Sequence, residues 1–190
     1  MASKTEYKSA IRSRKMIRYA LAALILEKEI EKITVKNIVE RAEISRGTFY
    51  AHYADIFAVF EEIENEIMDN IVAFLQDFTS VDIIQNPMPL LVKVTHFFEQ
   101  DIEFYRTITN TQCAPTFITK LQDVLIAKIL SCDETCQSND ELIYHVHFLV
   151  GGLVSLYQDW FAGKFDCSLE TLTTTVARTM TKGFQPYTLI

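Results

Sequence analysis

The stretch that most constrains the fold of this chain runs from Thr34 to Tyr53 and reads TVKNIVERAEISRGTFYAHY. Apolar residues recur at helical spacing after Thr34, a favourable N-cap, which predicts a first short helix ending near Ala42. Three residues then interrupt the pattern, and Ser45 can cap a second short helix. Two short helices joined by a tight turn are the layout of a helix-turn-helix, whose second helix enters the major groove of DNA.

The predicted second helix turns its aromatic residues inward and presents polar side chains outward. Phe49 and Tyr53 are expected in the core. Arg46 is the expected base contact, with Thr48 beside it. The full set of candidate DNA-binding residues is Thr34, Lys36, Ser45, Arg46, Gly47, Thr48, Tyr50 and His52, of which Thr34, Lys36, Tyr50 and His52 are expected mainly to bind phosphates.

The run ITVKNIVERAEISRGTFYAHYADIFAVFEEI resembles the DNA-binding domain of the TetR family of bacterial one-component regulators. In that family a Thr opens the first helix of the motif, and a Ser-x-x-Thr-aromatic-Tyr-x-His-aromatic run forms the recognition helix. This chain departs from the family pattern at Glu43, where many members have Gly, and at Ala54 and Ile56, near which many members have a Lys.

The resemblance implies an all-α fold with two domains. Residues 1–54 would form a three-helix DNA-binding domain, and residues 55–190 a helical effector-binding and dimerisation domain. It further implies a homodimer that represses transcription at a palindromic double-stranded operator and is released by a small-molecule effector. The alternative is an activator or co-regulator that acts through a protein partner on its C-terminal domain, which the missing lysine after Tyr53 favours.

Charge is distributed unevenly along the chain. Residues 1–60 carry 11 Lys and Arg against 7 Asp and Glu, whereas the remaining residues carry 7 against 18. A basic module joined to an acidic body is typical of a DNA reader with a separate effector domain, although chance segregation of surface charge gives the same pattern. The residues expected to keep the potential near the motif positive are Arg12, Arg14, Lys15 and Arg18 on the outward face of the first helix.

Helical periodicity continues through the rest of the chain. A long helix is expected after Asp55, with an acidic run from Glu61 to Glu66 on its solvated face. The clearest break covers residues 79–89, because two prolines prevent a helix from continuing through it. Residues 1–8 are expected to form a polar arm that is either disordered or bound to the DNA backbone.

The helix predicted over residues 140–162 carries two neighbouring apolar stripes and must be covered on both sides. Gly151 and Gly152 each cost roughly 1 kcal/mol in a helix relative to Ala, which suits a close approach of two backbones. The segment GGLVSLYQDW also resembles a subgroup of the family related to a dihydroxyacetone-kinase regulator. With the last helix, a four-helix bundle between two chains is expected, and the predicted dimer interface is Leu149, Gly152, Leu153, Leu156, Trp160, Leu172, Val176 and Met180.

Aromatic residues are concentrated in HFFEQDIEFY and in the helix over residues 140–162. The resemblance implies that such helices enclose a pocket for a small effector, while aromatic stripes at helical spacing are also typical of plain core. No cluster of Lys or Arg lies here, which favours a neutral or cationic effector. The candidate pocket residues are His96, Phe97, Phe104, Tyr105, Tyr144, His147 and Phe148.

The sequence lacks the motifs of common enzyme and cofactor-binding sites. It contains no phosphate-binding Gly-rich loop, no nucleophile elbow and no HExxH helix, so neither an enzyme nor a cofactor is expected. Cys132 and Cys136 lack a second pair of ligands for zinc, and Cys113 is expected to be a small buried thiol. Four scattered cysteines and no secretory leader predict a reducing cytoplasm, and no apolar run is long enough to span a membrane.

Overall fold

The computed structural model of this protein describes residues 4–109, 114–131 and 140–183. Those residues form α-helices and a single 3₁₀ turn with no strand, which confirms the predicted all-α fold. The helices are α1 (Lys4–Ile25), α2 (Val35–Arg41), α3 (Arg46–Tyr50), α4 (Ile56–Gln76), α5 (Ser80–Gln85), α6 (Met88–Glu99), α7 (Ile102–Thr109), α8 (Ala114–Leu130), α9 (Asp140–Phe161) and α10 (Leu169–Lys182).

The chain divides into two compact units, Met1–Ile67 and Met68–Ile190, and the division lies inside α4. The predicted domain boundary after residue 54 lies just before α4 begins, and it stays a prediction. None of the described helices is both long enough and apolar enough to cross a membrane.

The first unit is built by packing α1 against α2 and α3. Its centre consists of side chains with no solvent exposure, because the apolar residues of these short helices recur on one face. The fully buried residues of this core are Ile17, Leu21, Ile38, Phe49, Val59 and Ile63. A helix of five residues such as α3 has no stability of its own, so this core holds it in place.

The second unit packs α10 against α6, and α9 against α7, α8 and α10. A row of aromatic rings fills its interior, with centroids 5.1–5.2 Å apart between Phe97, Phe98, Tyr105 and Phe161. Beside them, the Thr173 hydroxyl lies 2.6 Å from the Thr95 hydroxyl and 2.9 Å from that of Tyr157. These buried hydroxyls form hydrogen bonds with one another, so their burial lowers the stability of the core only slightly.

Two helix boundaries differ from the sequence-based expectations. The predicted break over residues 79–89 contains α5, because Thr79 accepts a hydrogen bond from the Asp82 amide (3.1 Å) and Asp82 accepts one from the Thr79 amide (2.8 Å). Similarly, α1 begins at Lys4, inside the predicted polar arm. Cys113, Cys132 and Cys136 lie outside the described residues.

Candidate functional site

The start of α2 is fixed by a capping box. The Thr34 hydroxyl accepts a hydrogen bond from the Asn37 amide at 3.2 Å, and the Asn37 side chain accepts one from the Thr34 amide at 3.0 Å. Asn37 was missed as a functional candidate, although an amide or carboxylate side chain three residues after Thr is the signal for such a box. Lys36 is exposed beside this cap, with its ammonium 3.7 Å from the Glu40 carboxylate.

Ser45 fixes the start of α3. Its hydroxyl accepts a hydrogen bond from the Thr48 amide at 2.9 Å and lies 2.9 Å from the Thr48 hydroxyl. Both hydroxyls, predicted as DNA contacts, therefore already take part in shaping the helix end. A Cβ added at Gly47 would meet only the Ser45 hydroxyl, at 3.6 Å, so none of the described residues requires glycine there.

The side chains of α3 separate into a buried and an exposed set, as predicted. Phe49 is fully buried and Tyr53 is 4% exposed, whereas Arg46 is exposed and Tyr50 is 57% exposed. The Tyr50 ring meets Phe49 edge-on, with centroids 5.5 Å apart, which holds it over the core. The buried aromatic residues thereby anchor a short helix. Its outer face carries the guanidinium of Arg46, the phenol of Tyr50 and the partly exposed imidazole of His52.

The turn between α2 and α3 contains a non-glycine residue in the left-handed region. Glu43 has a φ of 53°, and the next residue, Ile44, donates a backbone hydrogen bond to Val39 at 3.0 Å. Many members of the TetR family place Gly at this position. A Cβ in this region crowds the following carbonyl, so the fold holds Glu43 there at a cost of about 1–2 kcal/mol.

Replacing Glu43 by Gly is expected to stabilise the first unit by about 0.5–1 kcal/mol, because relief of that strain exceeds the extra backbone entropy of glycine. Hydrogen exchange of the α2 and α3 amides measures the change. Glu40→Gly is the matched control, because Glu40 lies inside α2, where glycine is expected to destabilise by about 1 kcal/mol. A loss of protection in Glu43→Gly equal to that in Glu40→Gly would contradict the strain argument.

The basic residues of α1 do not all face solvent, contrary to the sequence-based expectation. Arg18 forms an ion pair with Glu66, and the Arg14 guanidinium lies 3.8 Å from the Glu62 carboxylate. The acidic side of α4 is therefore not a plain solvated face, because two of its carboxylates neutralise arginines of α1. Sequence spacing cannot reveal pairs 48 residues apart.

Tyr53 completes this cluster. Its hydroxyl is buried beside the Glu62 carboxylate. Burial, and then the nearby Glu62 carboxylate, raise the pKa of the Tyr53 phenol, while Arg14 and Arg18 lower it. Three charged groups, those of Arg14, Arg18 and Glu62, therefore act on this buried hydroxyl.

The residues predicted to line an effector pocket lie in two different environments. Phe97, Phe104 and Tyr105 are buried in the second unit, but His96 and His147 are exposed and Tyr144 and Phe148 are each 68% exposed. Both stripes of α9 are apolar and the sequence does not say which one faces inward, so the pocket assignment stays a prediction. The buried face of α9 comprises Val146, Val150, Val154, Tyr157, Trp160 and Phe161.

The residues of the predicted dimer interface also differ in exposure, and the interface stays a prediction. Trp160, Leu172 and Val176 are 4%, 7% and 3% exposed, because the chain's own helices cover them. Gly152 and Leu156 stay exposed, and Leu149, Leu153 and Met180 are half-buried. The surface that the second unit leaves open on α9 is an apolar stripe at four-residue spacing, which we call the α9 stripe: Tyr144, Phe148, Gly152 and Leu156.

Two family models match this chain. One, described as bacterial regulatory proteins of the tetR family, covers residues 17–63, which contain the helix-turn-helix. The other, described as a transcriptional regulator C-terminal region, covers residues 85–182, just over half of the 190 residues.

A curated relative and several solved structures are also similar. The uncharacterized HTH-type transcriptional regulator YxbF of Bacillus subtilis (strain 168) is 30% identical over 118 residues, which are 60% of this chain and 31% of that protein. This chain therefore spans about a third of that relative's length.

The structure of the dihydroxyacetone kinase operon activator DhaS matches with a TM-score of 0.57 and 16% identity, over 88% of this chain and 93% of the other. A TetR regulator of Streptococcus agalactiae 2603V matches with a TM-score of 0.59 and 18% identity, over 93% and 97%. At these identities the likeness concerns the fold.

Proposed function

Because this chain belongs to the TetR family of transcriptional regulators, we propose that it binds double-stranded operator DNA through α2 and α3. The observation that carries this proposal is the exposed face of α3, where Arg46 and Tyr50 project from a helix anchored by the buried Phe49. Such a face fits the major groove, with basic and hydroxyl groups toward base edges and phosphates. The family is one of regulators rather than enzymes.

The proposed DNA contacts fall into base contacts, phosphate contacts and helix caps. Arg46 is the proposed base reader, because a guanidinium can donate two hydrogen bonds to guanine. Lys36, Tyr50 and His52 are the proposed phosphate contacts. Thr34 and Ser45 act by capping their helices, which leaves backbone amides at the helix starts oriented toward the DNA, and Gly47 leaves room for a close approach of the α3 backbone.

We further propose that the protein acts as a homodimer through the α9 stripe. Two large aromatic side chains that are 68% exposed are costly in water, and a Cβ added at Gly151 or Gly152 would meet nothing within 4 Å. Helix-interior glycines that none of the described residues approaches fit close packing against a second copy. Two copies would place their recognition helices on half-sites about one helical turn, ~34 Å, apart.

Regulation follows the family pattern in this proposal. The protein represses by occupying its operator in the cytoplasm, and a small neutral or cationic effector releases it. The buried aromatic residues Phe97, Phe104 and Tyr105 of the second unit are the part of the predicted pocket that remains inside the fold. Once the operator is known, an effector is identified as a compound that lowers affinity for that duplex.

The test is selection of random duplex DNA by the purified protein, followed by sequencing, at two salt concentrations. The native protein is expected to enrich a palindrome. Tyr50→Ala should lose the enrichment. Arg46→Ala should select the same site but accept any base at one position. In the native protein a wrong base pair at that position should cost about 1–3 kcal/mol. Phe165→Ala, an exposed aromatic residue outside the motif, is the matched control and should select as the native protein does. Enrichment that Tyr50→Ala leaves intact would contradict the proposed interface.

A second function is supported by one structural neighbour and one sequence departure. DhaS is named an activator, and this chain has Ala54 and Ile56 where many members of the family carry a phosphate-binding lysine. In this alternative the protein activates transcription through a protein partner bound to its second unit. Absence of any enriched site, together with a partner retained after nuclease treatment, would support it over repression.

A further inference from the structure

Two ion pairs fix the register between α1 and α4. The Arg14 guanidinium lies 3.8 Å from the Glu62 carboxylate. One turn further along both helices, Arg18 pairs with Glu66. Each pair joins residues 48 positions apart in the sequence. A step of four residues along α1 is therefore matched by a step of four residues along α4, so the two helices run in the same direction here.

This register brings Lys8 to the end of the helix-turn-helix. Lys8 lies six residues before Arg14 on α1. Ile56, the first residue of α4, lies six residues before Glu62. Six residues are about 9 Å along either helix, and neighbouring helices lie about 8–10 Å apart. Lys8 is therefore level with the first turn of α4, which follows His52, a proposed phosphate contact.

Lys8 and Arg12 carry exposed positive charges near this point. They lie one turn apart on the solvent-facing side of α1, and among the described residues neither forms an ion pair. Lys15, on the same side of α1, instead places its ammonium 5.4 Å from the centre of the Tyr19 ring. Lys8 and Arg12 can thus bind an anion without first losing a carboxylate. Other basic residues of the first unit do pair with carboxylates, namely Arg14, Arg18, Lys32, Lys36 and Arg41.

The segment after α3 supplies no such charge of its own. Residues 47–92 contain neither Lys nor Arg. The first charged residue among them is Asp55, whose carboxylate caps α4 by accepting a hydrogen bond from the Ala58 amide at 2.9 Å. A DNA phosphate that passes the first turn of α4 would therefore meet a carboxylate unless another helix supplied a cation. Lys8 and Arg12 are the cations that the register of α1 places there.

We propose that Lys8 and Arg12 each bind a phosphate of the DNA duplex, so that α1 supplies backbone contacts that the start of α4 lacks. The inference rests on the proposed binding of operator DNA and extends that interface beyond α2 and α3. Phosphate contacts carry no sequence information, whereas base contacts such as that of Arg46 do. Lys8 and Arg12 therefore raise the affinity for every duplex by the same factor and leave the selected bases unchanged.

The test measures affinity for two fluorescent duplexes, the selected operator and an unrelated sequence, over a range of salt concentrations. Each phosphate contact contributes about 0.9 to the slope of log affinity against log salt. Lys8→Gln and Arg12→Gln should each lower the slope by about 0.9 per subunit, and the double variant should lower it by about 1.8. At ~0.1 M salt each single variant should bind both duplexes about eightfold more weakly per subunit, and the loss should vanish toward ~1 M salt.

Three control variants separate the position of a charge from the net charge. Arg12→Lys retains the cation and should retain the native slope. Lys15→Gln removes a charge from the same side of α1, but that charge lies over Tyr19, further from the start of α4. Lys120→Gln removes an exposed cation of α8 in the second unit. Both Gln controls should bind as the native protein does, and all variants should keep the native melting temperature, because every changed side chain is exposed.

A native salt slope in the double variant would overturn the inference. An equal loss of slope in Lys15→Gln or Lys120→Gln would also overturn it, because net charge rather than position would then set the affinity. So would a loss confined to the operator, since the two side chains would then read bases.

Failure of the proposed function gives a different result. If the native protein bound no duplex above its nonspecific background, the proposed function would fail and the inference with it. If the inference alone failed, the native protein would still select its operator and Tyr50→Ala would still lose it. The double variant of Lys8 and Arg12 would then bind both duplexes as the native protein does.

Discussion

Replacing Phe148 by Glu is expected to convert the protein to a monomer that binds its operator about 10²- to 10⁴-fold more weakly, because the second half-site is no longer reached by a tethered copy. Phe148 is 68% exposed, so the substitution costs the isolated chain little. In an isologous interface every substitution occurs twice, and burial of two unpaired carboxylates is strongly unfavourable.

Sedimentation equilibrium gives the oligomeric state, and titration of the operator and of a single half-site gives the two affinities. Val92→Glu is the matched control, because Val92 is an apolar residue of α6 that is 52% exposed and lies outside the α9 stripe. The Val92→Glu variant should remain a dimer and bind the operator with native affinity. A dimeric Phe148→Glu variant, or a monomeric Val92→Glu variant, would place the interface on another surface.

The helix-turn-helix was predictable from sequence because its determinants are local. Thr34 and Ser45 cap their helices through residues three positions away, and the predicted helices differ from α2 and α3 by one or two residues at their ends. Burial of Phe49 and exposure of Arg46 follow from the same periodicity. The sequence also singled out the turn at Glu43, where many members of the family have Gly and where the structure has a φ of 53°.

The sequence-based expectations differed from the structure where burial or ion pairing depended on residues distant in the sequence. Two stripes of α9 are apolar, so periodicity could not decide that Trp160 faces the core while Phe148 faces solvent. The pairing of Arg14 with Glu62 joins residues far apart in sequence, and no local pattern predicts it. For the same reason the Glu62 carboxylate beside Tyr53 could be recognised only once α4 was placed.

Replacing Phe49 by Ala is expected to destabilise the first unit by about 3–5 kcal/mol, because a fully buried aromatic ring is lost and the short helices around it cannot close the cavity. Neither α2, with 7 residues, nor α3, with 5, is stable without that core. DNA binding should be lost, since the exposed Arg46 and Tyr50 are positioned by the ring beneath them.

Hydrogen exchange resolves this effect by segment, which a single melting temperature does not do for a chain with two compact units. Amides of α2 and α3 should lose most of their protection, while those of α9 and α10 retain theirs. Phe57→Ala is the matched control, because the same atoms are removed from a ring that is 64% exposed at the start of α4. Equal losses in the two variants would mean that Phe49 does not organise the DNA-reading helices. An equal loss of protection in α9 would mean that the two units unfold as one cooperative structure.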